Sequence, residues 1–278
     1  MTKWIAAAVQ MEFPGQPGTE SGSGCLLRQK KRAQRGAQLV VFPECMNYLG
    51  RGIADHAESL PGGRTYQVMA QLAKDYGLWL EAGSIYETND QDPKRPYNTT
   101  YLLSPEGQLL AKYRKLHPFD VVLSSGVTSR ESDRVCPGDQ VVTAEAGELG
   151  KLGLAICYDI RFGEQFRLMA LEGAKVLTIP ANFTVNTGKD HWEVLLRARA
   201  IENECYVIAP DQIGKKPKFQ AYGNSLIIDP WGQVIARASN RPGIILAEID
   251  LDYVKQVREE TFTLANRRPD VYQLARTK

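Results

Sequence analysis

"KLGLAICYDIRFGEQFRLMALEGAKVLTIPA", residues 151–181, decides how this chain is to be read. An apolar run, "LGLAI", climbs to Cys157 and breaks at once into Tyr158, Asp159, Arg161 and Glu164. A helical stretch, "EQFRLMALEG", follows and leads into a second apolar run, "AKVLTIPA". Runs this apolar fit strands covered on both faces. Such strands alternating with helices give α/β packing with the helices outside. Cys157 then lies at a strand's end, before a turn and a helix beginning near Gly163, whose N-terminal dipole favours a thiolate. A core cysteine needs no charged company, whereas a nucleophile does.

The alternation continues on both sides. Toward the N-terminus, "WIAAAVQ" is followed by an amphipathic stretch ending at Arg35, then by "AQLVVF". A helix through "TYQVMAQLAKDYG", with its glycine stop at Gly77, precedes the strand-like "LWLEAGSIY". Toward the C-terminus, "KDHWEVLLRARAIEN" is a long helix feeding "CYVIAP". Two segments echo each other, "PEGQLLAK" (105–112) and "PWGQVIAR" (230–237). Each follows an apolar run and has Pro-then-Gly turn chemistry before a strand, so both read as β-hairpins; reuse of the same turn residues explains the echo, and so do two similar sheets packed face to face.

Composition bounds the function. The 278 residues carry a formal charge of +2, with 43% apolar and 24% charged residues, a globular balance with no global pull toward nucleic acid or an anionic membrane. The basic run "RQKKRAQR" (28–35) reads as the wet face of a helix. No apolar run reaches the ~20 residues needed to span a bilayer. Cysteines 25, 45, 136, 157 and 205 are odd in number and irregular in spacing, which argues for reduced thiols and a cytoplasmic setting. Without a CxxC pair or a histidine cluster, neither a metal site nor a cofactor is expected. No composition shift marks a boundary, so residues 1–278 read as one domain.

Two further strands end in reactive groups. "AQLVVFPE" delivers Glu44 just after a proline, and "LLAKYRKLHPFD" delivers Lys115 past the second strand of a hairpin. With Cys157 they supply a carboxylate base, a cation for a developing oxyanion and a thiol nucleophile. His117 and His191 are the other bases a thiol could use, but neither lies in a cysteine-protease context. Phe183, Thr187 and His191 follow "VLTIPANF" and line a pocket by position, although Thr187 also suits a helix start. Lys215, Lys216 and Lys218 read as solvated loop cations.

"FPE", "YRKLH" and "CYDIRF", in this order, resemble the three signature segments of the nitrilase superfamily of carbon–nitrogen hydrolases, and the likeness runs from "AAVQM" to "NRRPDVY". The resemblance implies an α-β-β-α sandwich whose protomers pair into a longer layered homodimer. It implies a Glu44–Lys115–Cys157 triad, the backbone N–H of Tyr158 as an oxyanion donor, and Glu131 in "SRESDRVCPGD" positioning Lys115 and the substrate amide. "TGKDHWEVLLRARAIENECYVIA" and "YGNSLIIDPWGQVIARA" resemble the amidase branch, which implies a small ω-amide substrate, deaminated glutathione before α-ketoglutaramate. An N-carbamoyl hydrolase and an idle scaffold are the alternatives. Two departures stand out: Gly163 where the family has proline, expected to loosen the turn, and the 118–125 segment bordering the pocket.

Overall fold

Several apolar runs become strands here because both of their faces are buried, as the first strand shows. The computed structural model describes residues 3–12, 36–122 and 128–277; the basic run at 28–35 lies outside them. In β1 (Lys3–Gln10), Ala6 and Ala8 face one core and Ala7 and Val9 another, the period-2 alternation of a strand wet on neither side. Next come β2 (Leu39–Val41), α1 (Arg64–Tyr76), β3 (Trp79–Glu81), β4 (Ile85–Glu87), β5 (Tyr97–Leu103) and β6 (Leu109–Arg114). Then follow β7 (Asp120–Val122), β8 (Thr128–Arg130), β9 (Val142–Glu145), β10 (Lys151–Leu154), α2 (Gly163–Leu171) and β11 (Val176–Thr178). A helical turn at Val185–Thr187 and a π-turn at Gly188–Trp192 lead into α3 (Glu193–Asn203). The chain continues through β12 (Tyr206–Ala209), β13 (Ile213–Lys215), β14 (Gln220–Tyr222), β15 (Leu226–Ile228), β16 (Val234–Arg237), β17 (Gly243–Asp250) and α4 (Leu251–Thr261).

The two large sheets repeat one pattern. β17-β1-β2-β3-β5-β6 and β9-β10-β11-β12-β15-β16 both pair in the series antiparallel, parallel, parallel, antiparallel, antiparallel. The echoed hairpins occupy the same place in each. Their glycines close equivalent turns, Gly107 (φ 74°) bonding Ser104 O at 2.8 Å and Gly232 (φ 85°) bonding Asp229 O at 2.9 Å. A Cβ on Gly107 would lie 2.5 Å from Ala70 O of α1, and one on Gly232 would lie 2.4 Å from Ile201 Cγ1 of α3. Each hairpin is thus pressed onto the helix outside its own sheet, which only glycine permits.

Between the sheets, Trp4, Leu39, Val41 and Leu102 meet Leu152, Leu154, Val176 and Ile227 in one core. Met69, Leu72 and Ala73 of α1 cover the far face of the first sheet, and Phe166, Met169 and Leu196 of α2 and α3 belong to the core of the second. The layers are therefore α-β-β-α. Gly77 ends α1 in the left-handed conformation, as its position predicts.

"LWLEAGSIY" is not one strand. It breaks into β3 and β4 at Gly83 (φ 43°), where a Cβ would stand 2.1 Å from Pro43 O. That close approach brings the chain after β2, which carries Glu44, against the end of β3. Nor does Gly163 loosen its turn: it opens α2, and the turn before it is closed by Phe162 N–H to Asp159 O at 2.9 Å.

Candidate active site

Glu44, Lys115 and Cys157 each follow a strand, β2, β6 and β10, and meet at one end of the sandwich. Lys115 Nζ lies 2.9 Å from Glu44 Oε1 and 2.9 Å from Glu131 Oε2. Glu44 Oε1 also accepts Asn98 Nδ2 at 2.9 Å, and its Oε2 accepts the Asn182 N–H at 3.0 Å. The Cys157 thiol lies close enough to the Glu44 carboxylate, the Lys115 ammonium and the Asn182 N–H to feel all three. Glu44, Lys115 and Cys157 are all buried. Loops hold this geometry through backbone bonds, Cys157 N–H to Pro180 O at 2.8 Å and Glu44 N–H to Ala181 O at 3.3 Å. Cys157 adopts φ 47°, a strained left-handed conformation for a side chain with a Cβ.

The electrostatics follow from burial and charge. Burial alone would lower the Lys115 pKa, but Glu131 and Glu44 outweigh it and hold the ammonium well above its ordinary value. Burial pushes the Cys157 thiol well above its ordinary value, and the Glu44 carboxylate pushes it further, against a smaller opposing pull from Lys115. Burial and the Glu44 charge thus both favour the neutral thiol. This corrects the expectation of a dipole-favoured thiolate, because α2 begins six residues after Cys157, with a 3₁₀ turn (Cys157–Arg161) between. A thiol beside a carboxylate is instead set for proton transfer when an electrophile arrives.

The remaining residues singled out in the sequence divide. Glu131 is brought in, bonding Lys115 and the Phe119 N–H at 2.5 Å. Tyr158 sits in the 3₁₀ turn, its ring edge-on to Phe119 and Phe162. Its N–H is one of the first amides of that turn, which have no carbonyl partner within it. Phe183 is buried against Trp192, and the exposed His191 bonds Arg161 at 3.3 Å. Thr187 is buried and bonds Thr184 Oγ1 at 3.3 Å; it stands at the N-cap of the π-turn, as Thr184 does for the preceding turn, neither with a side-chain capping bond. Of the 118–125 segment, residues 118–122 are described and pack beside Glu131; 123–125 lie outside the described residues.

Other residues complete the surroundings of the site. Arg161 lies over the rings of Tyr158 and Phe183, 5.7 and 5.6 Å from their centroids. Asn98, a buried polar residue in the otherwise mixed "YNTTYLL", anchors Glu44. Lys216 is buried rather than solvated and bonds Gln212 Oε1 at 3.0 Å, while Gln212 Nε2 reaches Glu44 O at 3.1 Å. Only a tertiary contact could have separated Lys216 from its two neighbouring lysines. Among the described residues no group of His, Cys, Asp and Glu is placed to hold a metal ion, and no helix is long and apolar enough to cross a membrane.

Comparison with known proteins agrees with this architecture. Residues 5–259 match the carbon-nitrogen hydrolase family. The chain is 40% identical to the deaminated glutathione amidase of Homo sapiens over 253 residues, 89% of this chain and 77% of that one. It is also 40% identical to the omega-amidase NIT2 of Xenopus tropicalis over 252 residues, 90% of each. The crystal structure of the Caenorhabditis elegans NitFhit protein superposes with a TM-score of 0.90 at 35% identity, over 98% of this chain and 67% of that one. Saccharomyces cerevisiae Nit3, a member of branch 10 of the nitrilase superfamily, superposes with a TM-score of 0.83 at 28% identity, over 96% of this chain and 97% of that one. With its fold shared and most of its length matched, the chain belongs to the carbon–nitrogen hydrolase family of the nitrilase superfamily, enzymes that act on amides.

Proposed function

We propose that the protein is a thiol-dependent amidase that converts a small ω-amide to a carboxylate and ammonia, with Glu44, Lys115 and Cys157 as its catalytic residues. The observation that carries this reading is the Glu44–Lys115 pair, 2.9 Å apart and buried beside the buried Cys157 thiol. Glu44 takes the thiol proton as sulfur attacks the amide carbonyl, forming the C–S bond. Lys115 and the Tyr158 N–H stabilise the oxyanion, a role in which one donor is worth about 3–4 kcal/mol. The nitrogen leaves as ammonia after Glu44 returns the proton, and a thioester remains on Cys157. Water, deprotonated by Glu44, then attacks the thioester and releases the carboxylate and the thiol. Glu131 holds Lys115 in place and borders the substrate amide.

Arg161 supports an anionic substrate tail. Its guanidinium lies beside Tyr158, Phe183 and His191 at the edge of the site, where it suits a carboxylate. Amidases for deaminated glutathione and for ω-amides are among the similar proteins, and deaminated glutathione is the favoured substrate here. The chain works as one domain and pairs into a homodimer through the exposed Val194 and Ile201 of α3 together with Trp231, an apolar strip beside the β15–β16 turn.

Ammonia release from deaminated glutathione and from α-ketoglutaramate, side by side with Cys157→Ala as blank, tests the reading. Faster turnover of the first is expected. Faster turnover of the second would reassign the substrate, carbon dioxide released with ammonia would indicate an N-carbamoyl hydrolase, and turnover by the blank would overturn the mechanism.

A further inference from the structure

Asp159 takes no part in the chemistry above, yet it is fully buried two residues after the nucleophile. Its carboxyl gathers partners from two segments. Oδ1 accepts the His117 N–H at 3.1 Å and lies 2.7 Å from His117 Nδ1. Oδ2 accepts the Tyr113 hydroxyl at 2.7 Å and the Ile156 N–H at 2.8 Å. Tyr113 Oη in turn accepts the Leu116 N–H at 3.0 Å and Gln165 Nε2 at 2.9 Å. These contacts bracket Lys115 on both sides and hold the residue just before Cys157. A second contact joins the same segments: the His117 ring stacks on Phe162 with centroids 3.6 Å apart and planes 8° apart.

A local role explains only part of this. Capping the 3₁₀ turn needs the Ile156 contact alone. The other three bonds run to residues 42 and 46 positions away, on the segment that carries Lys115. On the opposite side that segment is held by Glu131, which accepts both Lys115 Nζ and the Phe119 N–H. The stretch from 115 to 119 is thus clamped between two carboxyl groups.

We propose that Asp159 is a positioning residue for the hydrolysis, locking the Lys115 segment onto the nucleophile turn so that the ammonium meets the oxyanion formed at Cys157. The inference rests on the triad reading given under Proposed function. An oxyanion donor displaced by an ångström loses much of its effect, while binding of the substrate's tail is untouched. The effect of Asp159 therefore belongs in kcat and not in KM.

The test uses Asp159→Asn, which keeps the shape but sets an NH₂ group against donors, together with His117→Ala and His117→Asn. The asparagine at 117 keeps a donor near the place of Nδ1. For Asp159→Asn, kcat is expected to fall roughly 10- to 100-fold with KM within about threefold and cooperative unfolding retained. His117→Ala should lose roughly tenfold in kcat and His117→Asn should recover most of it. A folded Asp159→Asn with wild-type kcat, or one changed only in KM, overturns the inference. If Asp159→Asn does not fold, the His117 pair decides: equal rates for the alanine and asparagine variants overturn it. Cys157→Ala and Lys115→Met run alongside. If these keep activity the triad reading itself has failed, whereas their loss beside an active Asp159→Asn removes this inference alone.

Discussion

Replacing Lys115 with methionine takes away the cation that Glu44 and Glu131 share at 2.9 Å each, and leaves the space filled. Lys115 and Glu44 side chains are 2% and 6% exposed, so water does not replace the lost partner. Breaking a buried pair on one side costs about 3–5 kcal/mol. At roughly 2–4 °C per kcal/mol for a chain of this size, Tm should fall by about 6–20 °C. In the wild type the two carboxylates hold the Lys115 ammonium well above its ordinary value, so the charged pair is intact at neutral pH. Thermal unfolding of both proteins by circular dichroism at about pH 7 reads its loss directly. Turnover should also drop about 10²–10³-fold from the lost oxyanion donor. A Tm within about 2 °C of wild type would refute the reasoning.

Other expectations follow from the same geometry. Glu44→Gln keeps an acceptor for the Asn182 N–H but removes the base, so single-turnover acylation should slow by about 10²–10⁴ while the fold survives. Burial pushes the Glu81 carboxyl up to about 8, between Thr100 and Thr178 where the two sheets meet. Its stabilising contribution is complete below the ordinary carboxylate range and is lost as pH rises from there to about 8, so Glu81→Gln should flatten the fall in Tm between roughly pH 5 and 8. Lysine at both Val194 and Ile201 should convert a dimer to a monomer in size-exclusion chromatography with light scattering, and an unchanged mass would place the pairing surface elsewhere.

Much of the fold is legible because burial leaves a periodic trace. β10, β11 and β12 are short apolar runs with polar flanks, and the hairpin echo marks equivalent strands in two sheets with the same pairing series. Positions after strands are legible too, which is why Glu44, Lys115 and Cys157 stand out. Contacts between distant segments leave no such trace. The break at Gly83 answers to the Pro43 backbone, 40 positions away, and nothing in "LWLEAGSIY" announces it. Lys216 looks like its neighbours until the fold buries it beside Gln212. Asp159 reads as one more charge after the nucleophile, although most of its bonds reach back to β6 and the residues following it. The burial of the Cys157 thiol beside a carboxylate, which raises its pKa, is likewise a tertiary feature that the local sequence does not carry.

The thioester on Cys157 is the centre of the account, and trapping it is the most direct measurement. The enzyme is mixed with deaminated glutathione, quenched in acid within the first turnovers, and digested for mass spectrometry. An acyl adduct on the peptide carrying Cys157, absent from the Cys157→Ala protein, is the predicted result. Steady ammonia release by that variant, with no adduct on the wild-type peptide, would contradict it.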